Sequence, residues 1–199
     1  AISLVSFLLS MKDESMNYDL HKLQLNYTSF IYVNGPNDDS SNPVKYQSLY
    51  SNENRIWVDY DKIPTAMKDA IVSIEDKRYW EHDGVDWKRT LGAVTTLFSK
   101  GSSYGGSTIT QQLIKNVTGD KDVSLTRKAK EIFRALNLEK KYSKEEILAS
   151  YLNVVNFGSG TNGVQAAANL YFGKNIEDCD IAECAAIAGI TQNPSAYSP

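Results

Sequence analysis

The stretch SYGGSTITQQLIKN, residues 103–116, indicates a helical fold, because a pair of glycines leads directly into an amphipathic helix. Polar side chains recur there at helical spacing and therefore share one face: Thr108, Gln111, Gln112 and Lys115. Apolar side chains fall largely on the other side: Ile109, Leu113, Ile114 and Val117. The helix thus combines a core-forming face with a row of hydrogen-bonding groups that ends in one cation.

Two interpretations of this polar face stay open from the residues alone. Ser107 is a good helix N-cap, and the flexible Gly105-Gly106 pair lets backbone N–H groups approach a ligand. Free N–H groups at a helix N-terminus attract anions, and Lys115 and Asn116 follow one turn further on. The alternative is a turn followed by an ordinary solvent-exposed face.

The composition describes a globular protein with enough apolar residues for a core: 199 residues, 42% hydrophobic and 23% charged. A formal charge of −3 and a pI near 5.4 argue against a nucleic-acid-binding protein. Residues 115–144, however, contain nine Lys or Arg against four Asp or Glu. This segment either contacts an anionic ligand or is a solvated helix face.

From Pro64 onward the apolar spacing is helical, so the chain is predicted to be mainly α. The predicted stripes are Met67, Ala70, Ile71 and Ile74, and then Leu125, Ala129, Ile132, Phe133 and Leu136. Residues 24–60 are rich in Tyr, Val, Ile and Thr and predict short strands broken by the polar loop NGPNDDSSNP. The apolar run at residues 1–11 is too short to span a bilayer, so it is either the end of a membrane helix or a packing segment.

The segment EDKRYWEHDG, residues 75–84, contains a candidate proton acceptor. Glu75 lies at the edge of the first apolar stripe, and partial burial suits a carboxylate that takes up a proton near neutral pH. The alternative is a surface pair of Glu75 and Asp76 near a helix end, with His82 packed or capping.

The segment RKAKE places Arg127 and Lys128 within one helical turn of Glu131. A salt-bridged, solvated helix surface is one interpretation of this spacing, and such pairs contribute little to stability. The other interpretation joins two cations for a phosphate group to a second functional carboxylate.

Five segments in this order resemble the motifs of the family 51 peptidoglycan glycosyltransferases, the polymerase domain of class A penicillin-binding proteins and of monofunctional transglycosylases. They are EDKRYWEHDG, GGSTITQQ, RKAKE, KEEILASYLN (residues 144–153) and GVQAAANLYFGK (residues 163–174). Together they span roughly residues 64–199. Two positions depart from the family pattern: Val123 stands where an Arg is often found, and Ala149 where a Glu is common.

The resemblance implies a lysozyme-like, two-lobed helical fold with a small N-terminal β-ribbon flank. The implied boundaries are residues 1–12 for the stub of a membrane helix, 13–63 for the flank and 64–199 for the glycosyltransferase domain. Within that domain, about residues 86–120 form a smaller lobe that faces the membrane. The apolar segment LGAVTTLF suits this role.

The resemblance also implies a reaction and a location. The substrate is lipid II, which is polymerised into β-1,4-linked glycan with inversion at the anomeric carbon and release of undecaprenyl diphosphate. The implied partners are the growing lipid-linked glycan, the bacterial membrane at its extracytoplasmic face, and a transpeptidase domain in a longer, membrane-tethered protein. Moenomycin-type inhibitors are expected to bind, and no organic cofactor is expected.

Transferred to the matching positions, the resemblance makes Glu75 the general base. Glu131 then either orients the cations or holds Mg²⁺ or Mn²⁺ against the diphosphate. The implied substrate-binding residues are Asp76, Arg78, Ser107, Thr108, Gln111, Gln112, Lys115, Asn116, Arg127, Lys128 and Asn153. The amides and cations of this set would form a cradle for the charge of the leaving diphosphate.

Two other functions fit parts of the pattern. A lysozyme-like hydrolase or lytic transglycosylase would use a similar fold and one acidic Glu on the same polymer, but it needs no diphosphate cradle. A non-catalytic module that binds lipid II would keep the cradle and would tolerate the loss of the Glu75 carboxylate.

Overall fold

The structure is a computed structural model that describes residues 20, 28–35, 39–49, 54–92, 105–119 and 124–198. The strands are β1 (Ser29–Gly35), β2 (Asp39–Leu49), β3 (Asn54–Arg55) and β4 (Thr161–Asn162). The helices are α1 (Thr65–Glu75), α2 (Ile109–Thr118), α3 (Leu125–Lys141), α4 (Lys144–Val154), α5 (Val164–Phe172), α6 (Ile181–Ile190) and α7 (Pro194–Tyr197). Short 3₁₀ turns lie at Tyr60–Lys62, Tyr79–Glu81 and Ile176–Asp178, and residues 87–92 are helical. Helices dominate the described chain, which confirms the mainly α prediction.

The predicted β-ribbon is present as an antiparallel hairpin of β1 and β2. Strand β2 begins at Asp39, inside the segment that was predicted to be a loop, so the polar residues there are part of the ladder. The parallel pairing of β3 with β4 was not predicted, because its strands are only two residues long and lie far apart in sequence. This pairing joins the segment before α1 to the helical body.

The core lies where α1 packs against α6 and where α2 packs against α3 and α4. Met67 and Ile71 of α1 and Leu113 of α2 are fully buried there, and each contributes about 1.5–3 kcal/mol relative to an exposed side chain. Ile74, predicted to lie in the same stripe as Met67, is instead 37% exposed and lines a groove. The last turn of α1 therefore leaves the core and reaches a solvent-accessible surface.

Helix α3 faces the body with a different side from the one predicted. Its buried residues are Glu131, Ala135 and Leu138, whereas Ile132 and Phe133 are half-buried. The buried positions follow the spacing i, i+4, i+7 and so form one stripe. A carboxylate thus occupies the inner face of α3, because Arg127 and Lys128 accompany it and compensate its charge.

Thr108, not Ser107, caps α2. The Thr108 hydroxyl accepts from the Gln111 N–H, and the Thr108 N–H donates to Gln111 Oε1 at 2.9 Å, which forms a capping box. The predicted capping box of α4, between Ser143 and Glu146, is present. Both motifs satisfy N–H groups that a helix start leaves without partners.

Gly84, the last residue of EDKRYWEHDG, lies close to the backbone of α3 and to the start of α2. Its φ is +85°, and a Cβ atom there would lie 2.7 Å from the Ala135 carbonyl oxygen. The Gly84 carbonyl also accepts from the Thr108 hydroxyl at 2.6 Å. A glycine is required at this position, because any side chain would meet the backbone of α3.

Several predictions fall outside the described residues. These are the membrane-helix stub at residues 1–12, the segment 93–104 within the membrane-facing lobe, and the departure at Val123. The two-lobed arrangement therefore stays a prediction. Among the helices that the structure describes, none is both long and apolar enough to cross a bilayer.

Candidate active site

A groove opens between the end of α1, the polar face of α2, the inner face of α3 and the end of α6. Its empty volume, including the solvent-open mouth, is about 990 Å³. Six of the predicted site residues line it: Glu75, Ser107, Gln111, Gln112, Lys115 and Glu131. It is also lined by three residues that the sequence did not single out: Arg89, Thr191 and Gln192. The fold thus places the candidate base and part of the predicted cradle in one cleft.

Glu75 is nine-tenths buried, and neutral groups hold its carboxylate from two sides. The Gln112 amide nitrogen donates to Oε2 at 2.7 Å. On the other side, Thr191 Oγ1 lies 2.6 Å and Gln192 Nε2 lies 3.0 Å from Oε1. The carboxylate is thereby fixed in orientation without an ion pair to a side chain among these contacts.

Tyr151 sets the orientation of the Gln112 amide. Its hydroxyl donates to Gln112 Oε1 at 3.3 Å, so the amide nitrogen is left facing Glu75. Burial raises the pKa of Tyr151 well above its ordinary value, and the negative charges of Glu75 and Asp76 raise it further. Tyr151 therefore keeps its proton at every physiological pH and remains a donor.

Asp76, the residue next to the candidate base, is hydrogen-bonded to the start of α2. It is fully buried, and its Oδ2 accepts from the Ile109 N–H at 3.0 Å. His82 Nε2 lies 3.0 Å from the same oxygen. A carboxylate at the N-terminal end of a helix is favoured by the helix dipole. Asp76 thus fixes α2, and with it Gln112 and Lys115, relative to Glu75.

Glu131 binds both neighbouring cations. Arg127 Nη1 lies 2.6 Å from Oε2, and Lys128 pairs with Oε1. Lys128 also donates to the Ser107 hydroxyl at 2.8 Å, which connects α3 to the segment before α2. One carboxylate between two cations leaves a net positive charge at this side of the groove.

Gln111 offers a donor that the described residues do not use. It is fully buried and lines the groove, and its Oε1 is occupied by the capping box. Its Nε2 has no hydrogen-bond partner in the described part of the chain. An unpaired buried donor costs roughly 1–3 kcal/mol. Lys115, one turn further along, is exposed and adds a full charge.

This geometry agrees with the comparison to known proteins. Residues 42–199 match the family described as Transglycosylase. The chain belongs to the transglycosylase family. It is 46% identical over 156 residues to penicillin-binding protein 1A of Clostridium botulinum (strain Hall), a match that covers 76% of this chain and 19% of that protein. The family resemblance of the five motifs is confirmed.

Two further relatives of this transglycosylase domain are of the same kind. It is 41% identical over 197 residues to penicillin-binding protein 1A of Clostridium perfringens (strain 13), covering 96% of this chain and 28% of that protein. It is 45% identical over 153 residues to penicillin-binding protein 1F of Bacillus subtilis (strain 168), covering 76% and 21%. The chain thus spans between 19% and 28% of the length of these relatives.

Four residues predicted to bind substrate make other contacts within the transglycosylase domain. Asp76 and Thr108 are fully buried and hold α2 in place. Arg78 pairs with Asp86, its Nε donating to Oδ2 at 2.9 Å, and lines a neighbouring cleft instead. Asn153 is fully buried and hydrogen-bonded to backbone groups. Three of these side chains are enclosed and the Arg78 side chain is paired with Asp86, so their contact with substrate stays a prediction.

The remaining predicted residues lie at the edge of the groove. Arg127 and Lys128 reach it through Glu131 and Ser107 rather than by lining it. Asn116 is exposed on α2 beside Lys115.

The structural role of Asn153 can be tested by measuring protein stability. Its Oδ1 accepts from the Val58 N–H and its Nδ2 donates to the Val58 carbonyl, both at 2.8 Å. Asn153→Ala would leave these buried backbone groups unpaired, at a cost of about 3 kcal/mol. We expect the thermal midpoint to fall by roughly 10 °C, while the exposed Asn193→Ala variant stays near wild type. An unchanged midpoint in calorimetry would contradict the structural role.

Arg89, Thr191 and Gln192 were missed by sequence reasoning. Arg89 Nη1 donates to the backbone carbonyl of Glu75 at 2.5 Å and lines the same groove. The one local signal for Thr191 and Gln192 is their place directly after the apolar helix α6, where a polar pair precedes a proline turn. Their approach to Glu75 spans more than a hundred residues and left no periodic pattern.

Proposed function

We propose that this transglycosylase domain polymerises lipid II into β-1,4-linked glycan and releases undecaprenyl diphosphate, as part of bacterial cell-wall synthesis. The observation that carries the proposal is the groove in which Glu75 lies together with Gln111, Gln112 and Lys115. A proton acceptor and a set of donors for an anion are the two parts that this reaction needs.

The chemistry assigns one bond change to each side of the groove. The acceptor's 4-hydroxyl loses its proton to Glu75 while its oxygen bonds to the anomeric carbon of the donor sugar. The bond from that carbon to the diphosphate breaks, and its electron pair leaves with the diphosphate. An α-linked diphosphate becomes a β-glycoside, so the configuration inverts and no covalent glycosyl-enzyme is formed.

The leaving group explains the uneven charge of the site. A diphosphate departs as a stable anion, so it needs no acid to protonate it, unlike the leaving group of a glycosidase. It does need cations and N–H donors already in position. Lys115, the Gln111 amide and the cations bound to Glu131 supply them.

We propose that the side of the domain around residues 74–92 faces the membrane. Trp80, Trp87 and Leu91 are at least half exposed there, and Lys88 and Arg89 lie among them. Exposed Trp residues with neighbouring cations suit a membrane interface. A lipid-linked substrate would then enter the groove from this side. This side would belong to the smaller lobe of a two-lobed domain, and it would lie at the extracytoplasmic face of the membrane.

The same proposal extends to the partners. The relatives named penicillin-binding proteins are several times longer than this chain, which supports a longer parent protein with a transpeptidase domain. Moenomycin-type inhibitors are proposed to bind at the same site.

The direct test is incubation with lipid II alone. Growth of glycan chains, separated by gel electrophoresis, would support polymerisation. Release of fragments only from preformed polymer would favour a hydrolase or lytic transglycosylase, and binding without either product would favour a non-catalytic module.

A divalent ion does not fit the donor set of the described residues. Both oxygens of Glu131 already pair with cations, and the described chain has no cluster of three or more His, Cys, Asp or Glu that could hold a metal. We therefore propose that Glu131 orients Arg127 and Lys128 and does not hold Mg²⁺ or Mn²⁺.

Glu131→Gln tests this role. A neutral amide cannot hold both cations, so we expect kcat to fall by about tenfold or more. The dependence of the remaining rate on Mg²⁺ or Mn²⁺ should stay as in wild type. Glu139→Gln is the matched control, since Glu139 also lies on α3 but pairs with Lys144 away from the groove. Loss of a metal response in Glu131→Gln alone would favour the ion-holding role.

A further inference from the structure

The groups that hold Glu75 differ between its two oxygens. Oε1 has two neighbours at hydrogen-bond distance, Thr191 Oγ1 and Gln192 Nε2. Oε2 has one among the described residues, the Gln112 amide nitrogen. A carboxylate oxygen offers about two lone-pair positions, so Oε1 is fully engaged and Oε2 keeps one position open.

The two residues on Oε1 come from a rigid element. The Thr191 N–H donates to the Ala188 carbonyl at 3.2 Å, and the Gln192 N–H donates to the Gly189 carbonyl at 3.3 Å. Both residues thus continue the last turn of α6, which packs against α1. Their backbone thus continues the helix that packs on the core, while the Thr191 side chain is half-buried and the Gln192 side chain is exposed.

The Thr191 hydroxyl has a choice of acceptors. It lies 2.6 Å from Glu75 Oε1 and 2.8 Å from the Ala188 carbonyl oxygen, but it carries a single proton. A bond to a charged oxygen is stronger than one to a neutral carbonyl, so the hydroxyl donates to Glu75 while the carboxylate is ionised. Once Glu75 has taken up a proton, Ala188 becomes an acceptor of equal kind. The single proton of the Thr191 hydroxyl is therefore directed to Glu75 Oε1.

We propose that Thr191 and Gln192 are positioning residues that fix Glu75 with Oε2 as its proton-accepting oxygen. This inference rests on the proposed role of Glu75 as general base. In the transfer step, the proton of the acceptor's hydroxyl moves to Oε2, and Oε1 stays bound to Thr191 and Gln192.

Charged and titratable groups from the surrounding elements also act on Glu75. They are Asp76 at the end of α1, Arg89 of the 87–92 segment, Lys115 of α2, Glu131 of α3 and Tyr151 of α4. Substitutions at Thr191 leave all of them in place. A comparison of Thr191 variants therefore isolates the effect of one hydroxyl.

The test is the pH profile of kcat/KM for lipid II polymerisation by the full-length protein in detergent. Thr191→Val removes the hydroxyl that donates to Glu75 Oε1, and a charged oxygen accepts such a bond more strongly than a neutral one. We expect the acid limb of the profile to move to higher pH by about half a unit to one unit. Thr191→Ser, which keeps the hydroxyl, should restore the wild-type limb, and Gln192→Met should shift it in the same direction as Thr191→Val.

Thr110→Val is the matched control. Thr110 also donates its hydroxyl to a carboxylate, Glu139 Oε1 at 2.6 Å, but outside the groove. The acid limb of the Thr110→Val profile should stay at the wild-type pH even if this variant is less stable than wild type. An unmoved limb in Thr191→Val and Gln192→Met, or a limb in Thr191→Ser as shifted as in Thr191→Val, would overturn the inference and leave the proposed function intact. A wild-type protein that does not extend lipid II would remove both.

Discussion

Glu75→Gln is expected to lower kcat for lipid II polymerisation by about 10³-fold or more, because the amide cannot take up the proton of the attacking hydroxyl. Gln has nearly the same shape as Glu, and an amide oxygen can still accept from two of the three donors that hold the native side chain. We therefore expect the groove to persist and lipid II to bind with near wild-type affinity. The measurement is a polymerisation rate together with binding of fluorescent lipid II to the same protein preparation.

The control for this variant is Glu177→Gln, which removes an exposed carboxylate on the 3₁₀ turn Ile176–Asp178, away from the residues that line the groove. It should polymerise at the wild-type rate. Turnover by Glu75→Gln within a few fold of wild type would refute the base assignment, while the loss of both binding and turnover would mean that the carboxylate is needed to build the groove.

The parts of the site that lie on one helix could be predicted from sequence. Gln112 and Lys115 share a face of α2 because their spacing is helical, and the capping box of α4 is readable because its two partners lie three residues apart. Glu75 was found for the same reason, since it lies near the end of a clear apolar stripe. The spacing of residues along a helix shows which side chains share a face, and the groove is formed by such faces of neighbouring helices.

The parts that depend on tertiary contacts could not be predicted. Thr191 meets Glu75 only because α6 packs on α1, and Asn153 is enclosed only because Val58 runs beside α4. Asn153 was assigned to substrate because it lies in a motif, and Thr191 was passed over because it lies outside all five motifs. The structural contact of Asp76 was missed for the same reason, because sequence does not reveal that its carboxylate faces the first N–H of α2.

The burial of Glu131 could be predicted only in part from the neighbouring sequence. The i−4 and i−3 cations were visible as possible partners, but the default for such pairs is a solvated surface. Once one face of α3 is enclosed, a lone carboxylate there would be costly, and the two cations make it tolerable. The same ion pairs then hold both cations beside the groove.

Lys115→Ala and Arg127→Ala are each expected to slow glycan transfer by about 10²-fold, because each removes positive charge from the side of the groove where the diphosphate departs. Lys115 is exposed and lines the groove, so its loss should act on the leaving group with little effect on folding. Arg127 acts from behind Glu131, so Arg127→Lys should recover part of the rate by restoring the charge.

Single-turnover rates with saturating lipid II would separate this effect from weaker substrate binding. Lys140→Ala, an exposed cation at the far end of α3, is the control for a general change of surface charge and should transfer at the wild-type rate. Stabilisation of a departing anion predicts a larger loss in the rate of transfer than in the affinity for lipid II, because the charge on the diphosphate grows as its bond breaks. Equal losses would assign Lys115 and Arg127 to substrate capture, and unchanged rates in both variants would remove the cradle from the mechanism.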